Sequence, residues 1–98
     1  MSSFSSLINQ PKPVLIDFFA EWCGPCKTMA PILKSVKDEL GDRVAIVKID
    51  VDKNQALANQ FQVRGVPTLM IFKNGQQLWR ESGVLSHQHL VQLLQSHI

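Results

Sequence analysis

Three short runs of apolar residues alternate along the chain with segments of helical spacing. The runs are Val14–Ala20, Val44–Ile49 and Thr68–Phe72. Apolar residues occupy both the odd and the even positions of these runs, and only Asp17 and Lys48 interrupt the first two. This pattern is typical of strands that are covered on both faces. The pattern therefore predicts a buried central sheet to which all of these runs belong.

Helical spacing marks the segments before, between and after these runs. The pattern predicts a short helix at Ser5–Gln10, a long one from about Cys23 to Leu40, and another at Asn54–Phe61. Ser86 is a favourable N-cap for a last helix. The apolar stripe of that helix is formed by Leu90, Val91, Leu94 and Ile98.

The pair Asn74 and Gly75 is the strongest hairpin signal in the chain, so Gln77–Glu81 is expected to return as an antiparallel strand. Strand–helix–strand crossovers favour parallel pairing of the earlier strands. The expected fold is α/β, with a mixed four-stranded central sheet flanked by helices on both faces. No repeat, linker or low-complexity tract divides the chain, so residues 1–98 are expected to form a single domain.

Composition narrows the function classes. The 98 residues are 45% hydrophobic and 18% charged, with a formal net charge of +2 that is spread along the chain. Nucleic-acid binding is disfavoured, because phosphate recognition needs clustered lysine and arginine. The first ten residues do not resemble a signal peptide, and no apolar run is long enough for a membrane helix. We therefore expect a cytoplasmic protein that works without a membrane.

The candidate chemistry lies where the first strand ends and the long helix begins. Cys23 and Cys26 are three residues apart there, which places them about 5–6 Å apart on one helical face, the span that a disulfide requires. Free backbone N–H groups and the helix dipole stabilise a thiolate at a helix start. Cys23 is the expected nucleophile, and Cys26, one turn inside, is placed to resolve a mixed disulfide.

A structural disulfide and a zinc site are weaker interpretations of the cysteine pair. A purely structural disulfide would close so short a loop that it would remove little entropy from the unfolded chain. A zinc site needs four ligands, and the histidines (His87, His89 and His97) are all expected on the last helix. His87 and His89 are two residues apart and point in different directions, so we expect no metal.

The chain resembles a thioredoxin of the Trp-Cys-Gly-Pro-Cys type along nearly its whole length. The resemblance is carried by Val14–Phe18, Ala20–Lys27, Pro31, Arg64–Thr68 and Phe72–Gly75. It implies a monomeric enzyme that reduces protein disulfides, binds no cofactor, and receives electrons from NADPH through a thioredoxin reductase. The Gly-Pro pair between the cysteines resembles that of reducing members of the family. A binding module that holds a partner without turnover is the rival hypothesis from another functional class.

The chain departs from the family pattern at its beginning. Thioredoxins usually start with an extra edge strand, and the segment before Pro11 is too short to be expected to supply one. Val44–Ile49 is therefore expected nearer an edge of the sheet, where an exposed strand pairs readily with a partner.

Asp17 and Lys48 are charged residues within otherwise apolar strands. A buried carboxylate must find a partner or hold its proton near neutral pH, so Asp17 is a candidate acid–base group. The resemblance implies that Asp17 deprotonates Cys26 and that Lys48 favours the charged form of Asp17. Two alternatives stay open, in which Asp17 reaches solvent at the strand end and Lys48 is an edge lysine with its amine in water.

The resemblance also implies a substrate surface around Cys23. It implies a cis peptide bond before Pro67 and a backbone at Val66 that pairs with an extended substrate segment, whereas sequence physics alone favours an ordinary trans proline. The expected rim is flat and weakly polar, so that partner backbones can approach closely. Its members are Trp22, Gly24, Pro25, Gly65, Val66 and Gly83.

Overall fold

The computed structural model describes residues 3–98 and contains the predicted order of helices and strands. The elements are α1 (Phe4–Ile8), β1 (Val14–Phe19), α2 (Gly24–Leu40), β2 (Ala45–Asp50), α3 (Gln55–Gln60), β3 (Thr68–Lys73), β4 (Gln76–Ser82) and α4 (His87–Gln95). A short 3-10 turn at Gly41–Arg43, which the pattern did not predict, joins α2 to β2. Among residues 3–98, no helix is both long and apolar enough to cross a membrane.

Within residues 3–98 the sheet has four strands, in the order β2-β1-β3-β4. β1 and β2 are parallel, as expected, but β3 is antiparallel to both β1 and β4. The expectation that the hairpin alone adds antiparallel pairing was wrong. The six residues of α3 span about 9 Å, less than the roughly 20 Å of a six-residue strand. The connection through α3 returns the chain to the sheet at the end where β2 finishes, so β3 runs antiparallel to β1.

Both faces of the sheet are covered by helices, which confirms the predicted α/β architecture. On one face, Leu15 packs into a cluster with buried residues of α2 and α4. On the other face, Ile16 and Phe18 pack against α1 and α3. The expectation that Ile98 belongs to the α4 stripe was wrong: α4 ends at Gln95, and Ile98 is 51% exposed.

Lys37 near the end of α2 ties the start of β2 to the helix. Its Nζ donates hydrogen bonds to the carbonyl oxygens of Gly41 at 2.9 Å and of Val44 at 2.8 Å. Lys37→Met keeps the aliphatic stem but leaves both carbonyls without this donor. We expect the free energy of unfolding to fall by about 1–2 kcal/mol, measured by urea denaturation. Lys34→Met, at an exposed position of the same helix, is the control and should change it by less than about 0.5 kcal/mol.

Candidate active site

The two cysteines occupy the first turn of α2. Cys23 is the N-cap residue, and its Sγ accepts a hydrogen bond from the backbone N–H of Cys26 at 3.2 Å. The N–H of Cys23 donates to the carbonyl oxygen of Ala20 at 3.1 Å, which turns the chain from β1 into the helix. The cysteines are joined by a disulfide with a Cα–Cα distance of 5.3 Å, so the structure is that of the oxidised protein.

Both sulfur-bearing residues are nearly buried. Cys23 is 4% exposed and Cys26 5% exposed, and both pack with Ala20. Gly24, which lies between them, is exposed, and a Cβ added to it would meet no atom within 4 Å. The space beside Gly24 is therefore open to a partner that approaches the sulfur of Cys23.

The segment before β3 lies against Cys23. The Sγ of Cys23 is 3.6 Å from the carbonyl oxygen of Val66, and the Val66–Pro67 peptide bond is cis, as the resemblance implies. Thr68 Oγ1 donates to the carbonyl oxygen of Gly65 at 2.6 Å. The N–H of Gly83, which has a φ of +98°, donates to the carbonyl oxygen of Pro67 at 2.9 Å. The two bonds fix this segment beside the disulfide from both ends.

Trp22 is the most exposed large side chain of the rim. It is 71% exposed, and its Nε1–H donates to Asp52 Oδ2 at 2.8 Å. The N–H of Asp52 in turn donates to Asp50 Oδ1 at 2.8 Å, so the loop after β2 holds the indole in place. A cavity of about 110 Å³ adjoins the indole. Its lining consists of Trp22, Val51, Val63, Arg64, Gly65 and Val66.

The rim is thus less uniform than expected. Asp52 and Arg64 place a negative and a positive side chain beside Trp22, whereas a weakly polar surface was predicted. Sequence reasoning missed Asp52 because it is 30 residues from Trp22 and no local signal connects them. Arg64 lies within the motif that resembles the family, but the sequence predicted no role for it. Gly83 contacts the site through Pro67, and Pro25 is exposed in the first turn of α2.

Asp17 is fully buried on the face of β1 that is turned towards α2. Side chains alternate along a strand, and Asp17 shares the parity of Leu15, which packs against α2. Its exposure is 0%, and neither carboxyl oxygen has a hydrogen-bond partner among residues 3–98. Burial therefore raises the pKa of Asp17 from 3.8 to about 6, and the Lys48 ammonium partly opposes that rise. The alternative in which this carboxyl reaches solvent is excluded by its burial.

Lys48 lies opposite Asp17 in the parallel pairing of β1 and β2. Its side chain is exposed, and Nζ lies 4.8 Å from the centre of the Phe19 ring. The two interpretations of Lys48 are therefore compatible, since an edge lysine in contact with water still lowers the pKa of the buried acid. Lys48 also borders a cavity of about 240 Å³ that Cys26 lines.

All three histidines were expected on the last helix, but the structure places one of them outside it. His97 lies beyond the end of α4, whereas His87 lies within it and bridges α4 to α2. Its Nδ1 is 2.7 Å from Ser35 Oγ, and its Nε2 is 2.7 Å from Glu39 Oε1. Within the described part of the chain, no three His, Cys, Asp or Glu side chains are grouped so that they could hold a metal ion.

The fold and the site together define a thiol–disulfide redox centre: a cysteine pair joined by a disulfide lies at the start of a helix, after a buried strand and beside Val66. The family model for thioredoxin matches residues 1–96. The chain belongs to the thioredoxin family. This confirms the predicted family and the predicted fold.

Individual relatives support the same assignment. Thioredoxin Y, chloroplastic, of Oryza sativa is 47% identical over 96 residues, covering 97% of this chain and 57% of that protein. A thioredoxin-like protein of Synechocystis is 51% identical over 89 residues, covering 91% of this chain and 85% of that one. A mutant thioredoxin from Halobacterium salinarum superposes with a TM-score of 0.88 at 37% identity, covering 99% of this chain and 84% of that one.

The expectation of a cytoplasmic location was wrong. The rice relative and two relatives from Arabidopsis thaliana are named as chloroplastic thioredoxins, and they point to a plastid rather than to the cytoplasm. Bacterial thioredoxins, such as that of Haemophilus influenzae at 45% identity, are also similar. The chain spans 57% of the rice protein's length. The sequence argument could not resolve the compartment, because two cysteines at redox spacing indicate a chemistry and not a location.

Proposed function

We propose that this protein reduces disulfide bonds of other proteins, with Cys23 as the nucleophile and Cys26 as the resolving residue. The observation that carries the assignment is the unequal placement of the two sulfurs. Cys23 caps α2 and receives the N–H of Cys26 at 3.2 Å, whereas Cys26 lies one turn inside the helix. In the reduced protein the same N–H and the helix dipole stabilise a thiolate on Cys23, and the thiolate is the attacking form.

The reaction balances as two exchange steps. The Cys23 thiolate attacks a substrate disulfide, a Cys23–substrate bond forms, and one substrate sulfur leaves as a thiolate that takes up a proton. Cys26 loses its proton and attacks the sulfur of Cys23, so the Cys23–Cys26 bond forms and the second substrate thiol is released. The substrate gains two electrons and two protons, and the protein ends in the oxidised state seen in the structure.

Asp17 is the proposed acceptor of the proton that Cys26 loses. It lies on the α2-facing side of β1, it has no competing hydrogen-bond partner within residues 3–98, and its pKa of about 6 lets it exchange a proton near neutral pH. Lys48 is the proposed neighbour that keeps this pKa from rising further. The resolving step should therefore slow as the pH falls below about 6, where Asp17 already holds a proton.

The proposed substrate surface lies around the Sγ of Cys23. The carbonyl oxygen of Val66, 3.6 Å from that sulfur, is available to an extended substrate backbone, as in strand addition. The exposed Trp22 and the open space at Gly24 provide shape contacts on the other side. The full proposed set is Trp22, Gly24, Pro25, Gly65, Val66, Pro67 and Gly83.

The remaining proposals concern the surroundings of the reaction. We expect residues 1–98 to act as a single thioredoxin domain and as a monomer, with no bound cofactor and no metal. The electrons that regenerate the dithiol are expected from NADPH through a thioredoxin reductase, since the exchange needs a dithiol or an equivalent reductant. Disulfide-containing proteins are the expected substrates.

Replacing Cys26 with serine tests the division of roles. The Cys26→Ser protein should attack a disulfide-bonded test protein and then stall as a mixed disulfide, because no second thiol releases the substrate. Non-reducing electrophoresis and intact mass measurement would detect an adduct that dithiothreitol removes. The double variant Cys23→Ser/Cys26→Ser is the control and should form none. An adduct that forms through Cys26 in a Cys23→Ser protein, but not through Cys23, would reverse the assignment.

A further inference from the structure

The outer side of β2 offers backbone groups that no described strand pairs with. β2 is the first strand in the sheet order, and its only described strand neighbour is β1. The N–H of Ala45 donates to the carbonyl oxygen of Pro13 at 3.0 Å, so odd-numbered residues of β2 point towards β1. In a parallel ladder the direction alternates, so the N–H and C=O groups of Ile46 and Lys48 point away from the sheet.

Both ends of this outer edge are closed by side chains of the protein itself. Lys37 Nζ donates to the carbonyl oxygen of Val44 at 2.8 Å, and Asn54 Nδ2 donates to that of Asp50 at 3.0 Å. These even-numbered residues share the outward direction of Ile46 and Lys48. The open part of the edge is therefore a short window centred on Ile46 and Lys48, long enough for a few residues of an extended chain.

A groove between α2 and β2 runs beside this window. It consists of two adjoining cavities of about 240 Å³ and 270 Å³, which share Ala30 and Lys48 in their linings. Ile46 lines one of them, so side chains of the two window residues form part of the groove. The small side chain of Ala30 leaves room for side chains of a chain that lies along the edge.

The groove is predominantly basic. Lys27, Lys34, Lys37 and Lys48 line it. Glu21 and Asp38 also border it, but Lys53 lies 3.7 Å from the Glu21 carboxylate. Among the described residues the only other salt bridge joins His87 and Glu39, so no carboxylate lies within salt-bridge distance of Lys27, Lys34 or Lys48. Lys48 acts on the buried Asp17 but remains exposed to the groove. Ammonium groups gathered beside open backbone groups favour an acidic ligand.

We propose that the Ile46–Lys48 window and its lysine-lined groove dock an acidic, extended segment of a partner protein, which adds to β2 as a further strand. Backbone hydrogen bonds to Ile46 and Lys48 supply the attachment, and alternate acidic side chains contact Lys34 and Lys48. A second copy of this chain is a poorer occupant. The same edge of a second copy carries the same lysine-lined groove, so it does not supply the acidic side chains that complement the ammonium groups.

A peptide of alternating valine and glutamate, acetylated and amidated at its ends, is the probe. It should bind the full chain in a fluorescence-anisotropy titration, more weakly as the salt concentration rises, because the lysines are exposed to screening. Two control peptides separate the contributions. One replaces glutamate with lysine, and the other keeps glutamate but carries N-methyl groups on alternate backbone nitrogens. Neither should bind, and equal binding of the N-methylated peptide would overturn strand addition.

Matched protein variants locate the site. Lys34→Gln/Lys48→Gln removes two charges from the groove and should weaken peptide binding about tenfold. Gln76→Glu/Gln77→Glu changes the net charge by the same amount on β4, at the opposite edge of the sheet, and should leave binding within about twofold. Equal weakening by both pairs would show a response to net charge alone and would overturn the proposal.

Amide hydrogen exchange gives a readout at the window itself. The N–H groups of Ile46 and Lys48 should exchange quickly in the free protein and more slowly with the peptide bound, while that of Val47, which points towards β1, changes little. Protection that rises with protein concentration would mean that a second copy occupies the edge. Protection in the free protein at every concentration would mean that the chain covers its own edge, and either result overturns the proposal.

Discussion

Replacing Cys23 with serine is expected to reduce catalysed disulfide reduction by about three orders of magnitude or more. A serine hydroxyl is protonated at neutral pH and does not form a stable bond to sulfur, so the first exchange step has no nucleophile. The measurement is the rate at which a disulfide-bonded test protein is reduced by dithiothreitol with catalytic amounts of wild-type or Cys23→Ser protein. The wild type should accelerate the reaction strongly.

Folding must be compared in the same experiment. Both proteins should be assayed for thermal stability with excess dithiothreitol, so that neither carries the Cys23–Cys26 disulfide. Similar melting temperatures would assign the loss of activity to the missing thiolate. A folded Cys23→Ser protein that retains most of the acceleration would refute the nucleophile assignment, and a folded wild type without acceleration would favour a docking function.

Replacing Asp17 with asparagine is expected to stabilise the oxidised protein by about 3 kcal/mol above neutral pH. The folded-state pKa of Asp17 is raised from 3.8 to about 6, mainly by burial. Below about pH 4 the carboxyl is protonated in both folded and unfolded chains, so it imposes no ionisation cost. Between about pH 4 and 6 only the unfolded chain ionises readily, and stability falls as the pH rises. Above about pH 6 the full cost is present, and the asparagine avoids it.

Urea denaturation of the oxidised proteins at pH 4 and pH 8 measures this effect. The difference between Asp17→Asn and wild type should be small at the lower pH and large at the higher one. Asp38→Asn, at an exposed position on α2, is the matched control and should show little such dependence. A stabilisation of the same size at both pH values would mean that packing, and not ionisation, causes it.

The same substitution should slow the resolving step of the reaction, although it stabilises the protein against unfolding. Asparagine cannot accept the proton of Cys26, so the mixed disulfide should persist longer in Asp17→Asn than in wild type. The buried carboxyl of Asp17, which has no hydrogen-bond partner among residues 3–98, is therefore expected to cost stability and to serve proton transfer.

Most of the secondary structure follows from local patterns. The apolar run that starts at Val14, interrupted only by Asp17, forms β1. The segment after Cys23, with its helical spacing of apolar residues, forms α2. The pairing direction of β3 was not predictable in this way. It depends on the end of the sheet at which the chain re-enters, and the apolar pattern of β3 itself does not show that end.

The sequence by itself determined the chemistry: two cysteines at helical spacing after a buried strand define a redox pair, because the backbone geometry of a helix start follows from local residues. Only the tertiary structure decided what surrounds that pair. The hydrogen bond from Trp22 to Asp52, the contact of Cys23 with Val66 and the open edge at Lys48 join segments far apart in the chain. The elevated pKa of Asp17 likewise depends on burial by elements on both sides of β1, which no local pattern reports.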